Sequence, residues 1–103
     1  MSRIDALREL LAEMPEDAFT RYALAMQLRQ EDRLAEAMAE FRMLLERRPD
    51  YTAAYLMAGQ CAEDLGEREE AARIFRLGVE ACARAGEAHA STKCAEALAD
   101  LEG

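Results

Sequence analysis

Few of the residue types that build catalytic and metal sites are present in this 103-residue chain. His89 is the only histidine, tryptophan is absent, and no recognisable nucleophile motif occurs. An acyl-transfer triad needs a histidine base, and a zinc site usually needs several histidine or cysteine ligands. The sequence therefore predicts no catalytic residue, no metal site and no cofactor, and we expect a protein that is not an enzyme.

Cysteine is scarce, odd in number and without CxxC spacing, since only Cys61, Cys82 and Cys94 occur. Secreted disulfide frameworks use even counts in shorter chains, so this set favours a reducing compartment. Cys94 and His89 are five residues apart, off the spacing that shares a helix face. Small apolar packing is the ordinary role of a helical cysteine. A cysteine-based redox regulator is the most distant of the functional alternatives.

Excess positive charge and long apolar runs are also missing. The chain has 13 basic and 21 acidic residues, a net charge of −8, whereas a nucleic-acid surface needs clustered cations. The same argument disfavours an anionic membrane surface. The longest uncharged run, 51–62, is too short to span a bilayer, and Asp5 and Glu9 lie where a signal peptide would be apolar. We expect a cytoplasmic protein with neither nucleic acid nor membrane as a partner.

Residues that interrupt helices or favour strands are scarce as well. There are only two prolines and five glycines, β-branched residues are few, and alanine, leucine, glutamate and arginine dominate. This composition is typical of helices. A chain of this length forms one domain that buries roughly two-thirds of its unfolded surface. The composition therefore predicts a single all-α domain over residues 1–103.

A 34-residue repeat organises the sequence. Identical residues recur at this offset in Pro15/Pro49, Glu36/Glu70, Ala37/Ala71, Phe41/Phe75 and Arg42/Arg76, and Ala25/Gly59 and Asp32/Gly66 have the same spacing. Apolar residues at helical spacing predict six helices, at about 3–14, 18–31, 34–47, 52–65, 68–85 and 88–101. We expect an N-terminal half-repeat helix in 1–17, full repeats in 18–51 and 52–85, and a capping helix in 86–103, because the end of a stack must show water a polar face.

This pattern resembles the tetratricopeptide repeat, a helix-turn-helix unit of 34 residues. The family's small, alanine, aromatic and proline positions fall on Ala25 and Gly59, Ala37 and Ala71, Phe41 and Phe75, and Pro49. The resemblance implies a short right-handed α-solenoid of antiparallel helical hairpins. Three positions depart from the family. Arg21 replaces a large aromatic, Ala62 replaces a frequent tyrosine, and Ala83 replaces the proline that should end the second repeat, so the fifth helix is expected to run on to about Ala85 with Gly86 as its stop.

The resemblance also implies a function. In the family, the first helices of successive repeats line a concave groove that receives a peptide or helix. The corresponding positions here are Phe19, Tyr22, Met26, Arg29, Ala53, Leu56, Gln60, Glu63, Glu87, Ala90, Cys94 and Ala97. The floor is largely apolar, which predicts a protein or peptide partner. The lysines and asparagines of the branch that holds chaperone carboxylates are not matched at these positions.

Two other interpretations of the same apolar positions stay open. The N-terminal helix or the cap could fold across the groove and make these residues ordinary core. Alternatively, the protein could be a structural unit that self-associates, for example as a homodimer, through the groove or an end of the solenoid.

Overall fold

The computed structural model describes all residues, 1–103, and contains six helices and no strand. Their bounds are α1 (Arg3–Glu13), α2 (Ala18–Gln30), α3 (Leu34–Arg47), α4 (Ala53–Asp64), α5 (Arg68–Arg84) and α6 (Ala88–Glu102). Each boundary lies within one residue of its prediction, and the all-α fold class is confirmed. No helix has both the length and the apolar character needed to cross a lipid bilayer.

The helices form a short solenoid with two walls. Each helix packs against the next one in the chain. In addition, α2 contacts α4 and α4 contacts α6, whereas the backbones of α1, α3 and α5 stay apart from one another. A stack whose helices are closer in one wall curves towards that wall. The side of α2, α4 and α6 is therefore the inner one.

Three closed turns reverse the chain after α2, α4 and α5. In each turn one residue adopts the left-handed conformation, with φ of 61° at Asp32, 80° at Gly66 and 77° at Gly86. The N–H of the following residue donates to the carbonyl oxygen five residues earlier, at 2.8, 2.8 and 2.9 Å. This is the Schellman arrangement, which satisfies carbonyl groups at a helix end. Glycine adopts this conformation without strain, so Gly86 ends α5 as its sequence position predicts.

The core lies between the two walls and contains one buried phenylalanine in each hairpin. Phe41 and Phe75 are both fully buried. Gly59 faces Phe75 from the first helix of its hairpin, and an added Cβ atom there would lie 2.2 Å from the ring. Ala25 holds the equivalent position in the first hairpin and is fully buried. The small residue is therefore a requirement of close helix packing at this position.

Arg21 is buried although it is charged. Its guanidinium forms an ion pair with Glu40 at 2.6 Å and donates to the carbonyl oxygen of Pro15 at 3.0 Å. Tyr55 holds the same position 34 residues later, and its hydroxyl donates to the carbonyl oxygen of Pro49 at 2.6 Å. The departure from an aromatic residue at Arg21 thus preserves the hydrogen bond that orients the preceding turn.

Candidate interaction groove

The predicted groove residues of the two hairpins lie on the inner wall, on α2 and α4. Phe19, at the start of α2, is the most open of them, with 68% of its surface exposed. Tyr22, Met26 and Leu56 are half-buried and pack against the edge of the core. Ala53 and Glu63 are exposed, whereas Arg29 and Gln60, and Ala90 and Ala97 on α6, are partly buried. The surface therefore begins with the exposed Phe19 ring and continues as a strip of half-buried apolar side chains.

The ring of Tyr22 contacts two other aromatic rings, one of them in the core. The Tyr22 ring centroid lies 5.4 Å from that of Tyr51 and 6.4 Å from that of Phe41. Burial, and then the neighbouring Tyr51, raises the pKa of the Tyr22 phenol. Tyr22, a predicted groove residue, is thus also part of the packing between α2 and α3. Tyr51 was missed by sequence reasoning because it lies in the loop before α4, outside the helical positions from which the family reads its ligand.

Arg29 closes the other end of the strip. Its Nε and Nη2 atoms donate to the Asp64 carboxylate at 3.2 and 3.1 Å, and its Nη1 donates to Gln60 Oε1 at 3.3 Å. These bonds join α2 to α4. The Arg29 charge is neutralised by Asp64, a residue that the sequence pattern did not select, so the groove offers no free cation here.

Cys94 is not a groove residue, and its prediction as one was wrong. Only 1% of its surface is exposed. Its sulfur fills the notch that Gly78 leaves on α5, where an added Cβ atom would lie 2.8 Å from the Cys94 Sγ atom. The long α5 gives α6 a continuous surface to pack on, and this packing turns Cys94 into the core. Glu87, at the start of α6, accepts a hydrogen bond from the Thr52 hydroxyl at 2.8 Å.

Several solved structures are similar to this one. A solution structure of a tetratricopeptide repeat domain protein from Salinibacter ruber is 34% identical, with a TM-score of 0.81 over 86% of this chain and 90% of that one. A crystal structure of a tetratricopeptide repeat domain protein from the same organism is 33% identical, with a TM-score of 0.80 over 85% and 98%. The chain belongs to the tetratricopeptide repeat family. A protein from Bordetella parapertussis shares the fold at 20% identity, with a TM-score of 0.83 over 99% and 89%. No family model and no curated protein matches the sequence.

Tetratricopeptide repeat proteins are typically interaction scaffolds rather than enzymes. Cys61, Cys82 and Cys94 are free and buried. Burial raises the pKa of all three thiols, that of Cys94 to about 11. Because the thiolate is the reactive form, these groups are poor nucleophiles near neutral pH. No three histidine, cysteine or acidic side chains are grouped so that they could hold a metal ion.

Proposed function

We propose that this tetratricopeptide repeat protein binds a peptide or helix of a partner protein along the inner wall of α2 and α4. The observation that carries the proposal is Phe19, a large aromatic side chain that is 68% exposed at the head of an apolar strip. The half-buried side chains of Tyr22, Met26 and Leu56 extend this strip. Apolar side chains gathered on one exposed surface are typical of partner-binding sites.

The shape of the surface supports an elongated ligand. Phe19, Tyr22 and Met26 follow one another along α2, and Leu56 borders them from the neighbouring α4, so the strip runs along these two helices. A peptide or helix laid along the strip would contact Phe19 at one end and the region of Arg29 at the other. Methionine at position 26 suits such a surface because its side chain adapts to differently shaped partners.

The charges of the groove favour a partner that is neutral or basic. Arg29 is paired with Asp64, and the exposed Glu63 forms no ion pair. The chain as a whole carries a net charge of −8, which would repel an acidic ligand. The three free thiols support a reducing, cytoplasmic setting for this interaction.

Phe19→Ala tests the proposal. Affinity capture from an extract of the source cells identifies the bound protein, and calorimetry with the purified partner measures its affinity. We expect Phe19→Ala to weaken binding by about 1–3 kcal/mol, as loss of an interface anchor does. Its melting temperature should stay close to that of the wild type because the side chain is mostly exposed.

Met43→Ala is the matched control, since Met43 is an exposed large apolar residue on α3, in the outer wall. Its binding should equal that of the wild type. Equal loss of binding in both variants, or none in Phe19→Ala, would contradict the assignment to the inner wall. Tyr22→Ala is a poorer test, because Tyr22 contacts the buried Phe41 ring and its loss would also lower folding stability.

A further inference from the structure

A second cleft lies on the opposite side of the molecule, between α3 and α5. Its volume is about 270 Å³. Tyr55 of α4 lines it together with apolar side chains of both outer helices, and Leu77 at its edge is 42% exposed. The volume is below the roughly 300–1,000 Å³ of ordinary small-molecule sites. The cleft is thus sized for one or two side chains of a larger partner.

Arginines surround this cleft although the chain is acidic. Arg42, Arg73 and Arg84 line it, and Glu46 is the only carboxylate among its lining residues. Arg42 and Arg73 are held by Glu67 and Glu70 just outside it. Arg84 is different. Every lysine and arginine of the chain forms an ion pair except Arg3, Arg68 and Arg84. Of these three, Arg68 donates a hydrogen bond to the carbonyl oxygen of Leu101. Arg84 thus presents an exposed, unneutralised guanidinium at the cleft.

The outer surface of α1 carries the complementary features. Leu10 is 45% exposed and Met14, four residues on and therefore on the same face of the chain, is similarly exposed. Glu9 and Glu13 flank them, are exposed and form no ion pair. Leu10 is unusual for its repeat position, because Leu44, 34 residues later, is buried. The molecule therefore displays an apolar ridge with free carboxylates and, elsewhere, an apolar cleft with a free guanidinium.

We propose that the α1 ridge (Glu9, Leu10, Glu13 and Met14) of one copy of this protein docks into the α3–α5 cleft of a second copy. Leu10 or Met14 would fill the cleft against Leu77, and a carboxylate of Glu9 or Glu13 would pair with Arg84. This is recognition of an amphipathic helix by a groove. The contact joins two different surfaces. Both lie outside the inner wall, so the contact leaves the proposed partner groove accessible.

Sedimentation equilibrium of the full chain over a range of concentrations tests the contact. The wild type should gain mass as concentration rises, and its association constant should fall when NaCl is raised from about 50 mM to about 500 mM, because salt screens the charge pairs. Arg84→Glu, and separately the double variant Glu9→Arg/Glu13→Arg, should each weaken association at least about tenfold. All three side chains are exposed and free of internal ion pairs, so the fold should be retained in both proteins, which circular dichroism checks.

Mixing the two variant proteins provides the decisive measurement. Each variant alone would place like charges in the contact. In the mixture, the unchanged ridge of one variant can meet the unchanged cleft of the other, and the altered ridge and altered cleft carry opposite charges. The equimolar mixture should therefore associate at least about tenfold more strongly than either variant alone. Arg76→Glu, the same charge change on the same helix outside the cleft, should associate like the wild type. A wild type that stays monomeric at all concentrations, a mixture no better than its components, or an equal loss in Arg76→Glu would overturn the proposal and leave the cleft to a different partner.

Discussion

Arg21 and Tyr55 show how two unlike side chains can do the same structural work at one position of a repeat. Both are buried, and both donate to the carbonyl oxygen of the proline six residues earlier. Arg21 needs Glu40 as an additional partner because a buried guanidinium without a counter-charge is costly. Sequence comparison of the two repeats marks Arg21 as a departure from the family. It does not reveal the shared acceptor, which depends on where the Pro15 and Pro49 carbonyl groups point.

Asp32 is strained where its equivalents are glycine. Its φ of 61° lies in the left-handed region, as do those of Gly66 and Gly86 in the matching turns. The left-handed conformation costs a residue with a Cβ atom about 1–2 kcal/mol, while the extra freedom of glycine in the unfolded chain costs about 0.5–1 kcal/mol. We therefore expect Asp32→Gly to raise the free energy of unfolding by about 0.5–1 kcal/mol in a urea titration. Gly66→Ala should lower it, and a loss of stability in Asp32→Gly would show that the aspartate side chain stabilises its turn.

Because the Cys94 thiol is buried, we expect the free energy of unfolding to fall as the pH becomes alkaline. Its pKa is raised to about 11, above the roughly 8.5 of a thiol in an unfolded chain. Between these values the unfolded state loses its proton first, so the stabilising effect of the buried neutral thiol is complete below about pH 8.5 and is lost as pH rises towards 11. Urea titrations from pH 8 to 11 should show a falling free energy of unfolding, by about 2–3 kcal/mol from this residue. The fall should be smaller in Cys94→Ala, and an identical pH dependence in the two proteins would contradict the assignment.

At the scale of helices, α5 is longer than its counterpart α3 because it lacks a terminal proline. α3 ends at Arg47 before Pro49, whereas α5 continues through Ala83, at the equivalent position, to Arg84. The N–H of the residue after Gly86 closes the turn onto Cys82 in the last part of α5. Restoring the proline of the family would therefore insert it into a formed helix, where it removes a hydrogen bond and clashes with the preceding turn.

We expect Ala83→Pro to lower the free energy of unfolding by about 3 kcal/mol, although it brings the sequence closer to the family pattern. Ala83→Gly is the control for propensity alone and should cost only about 1 kcal/mol. Thermal and urea unfolding of the two variants give the comparison. A proline variant as stable as the wild type would indicate that α5 can end three residues earlier and that its last turn contributes nothing to the packing of α6.

The helices themselves were predictable because each depends on local signals. Apolar spacing placed the six helices, and Gly66 and Gly86 placed two of the turns. The groove was less predictable because its surface depends on how helices meet. Tyr51 packs on Tyr22 from a loop, and Asp64 accepts hydrogen bonds from Arg29. Cys94 is buried instead of facing the groove, because its sulfur packs into the notch at Gly78. These outcomes depend on contacts between elements, which a repeat pattern does not encode.

At the scale of the whole molecule, ion pairs repeat along the outer wall with the period of the sequence. Arg8 pairs with Glu36, and Arg42, 34 residues later, pairs with Glu70 as well as Glu67. Arg76 continues the series to Glu102 of α6. Each links one hairpin or end helix to the next. Because the pairs are exposed, each contributes only about 0–1 kcal/mol, so cohesion of the stack depends mainly on apolar packing between neighbouring helices.

Removal of α6 tests this dependence. The helix buries Cys94 and Leu101 against the rest of the chain and covers Gly78 of α5. A chain truncated after Gly86 loses these apolar contacts but also no longer orders the helix backbone, so we expect a net loss of about 2–4 kcal/mol. In a domain of this size that lowers the melting temperature by roughly 10–25 °C.

The uncovered face of α5 should also make the truncated chain associate, because an apolar surface of a repeat without its neighbour is exposed to water. Calorimetry and light scattering measure the two effects together. Glu96→Ala, on the exposed side of α6, is the matched control and should change neither. A truncated chain that melts at the wild-type temperature and stays monomeric would mean that the α5–α6 packing adds no net stability, and the burial of Cys94 would then have to be offset in full by the entropy of ordering α6.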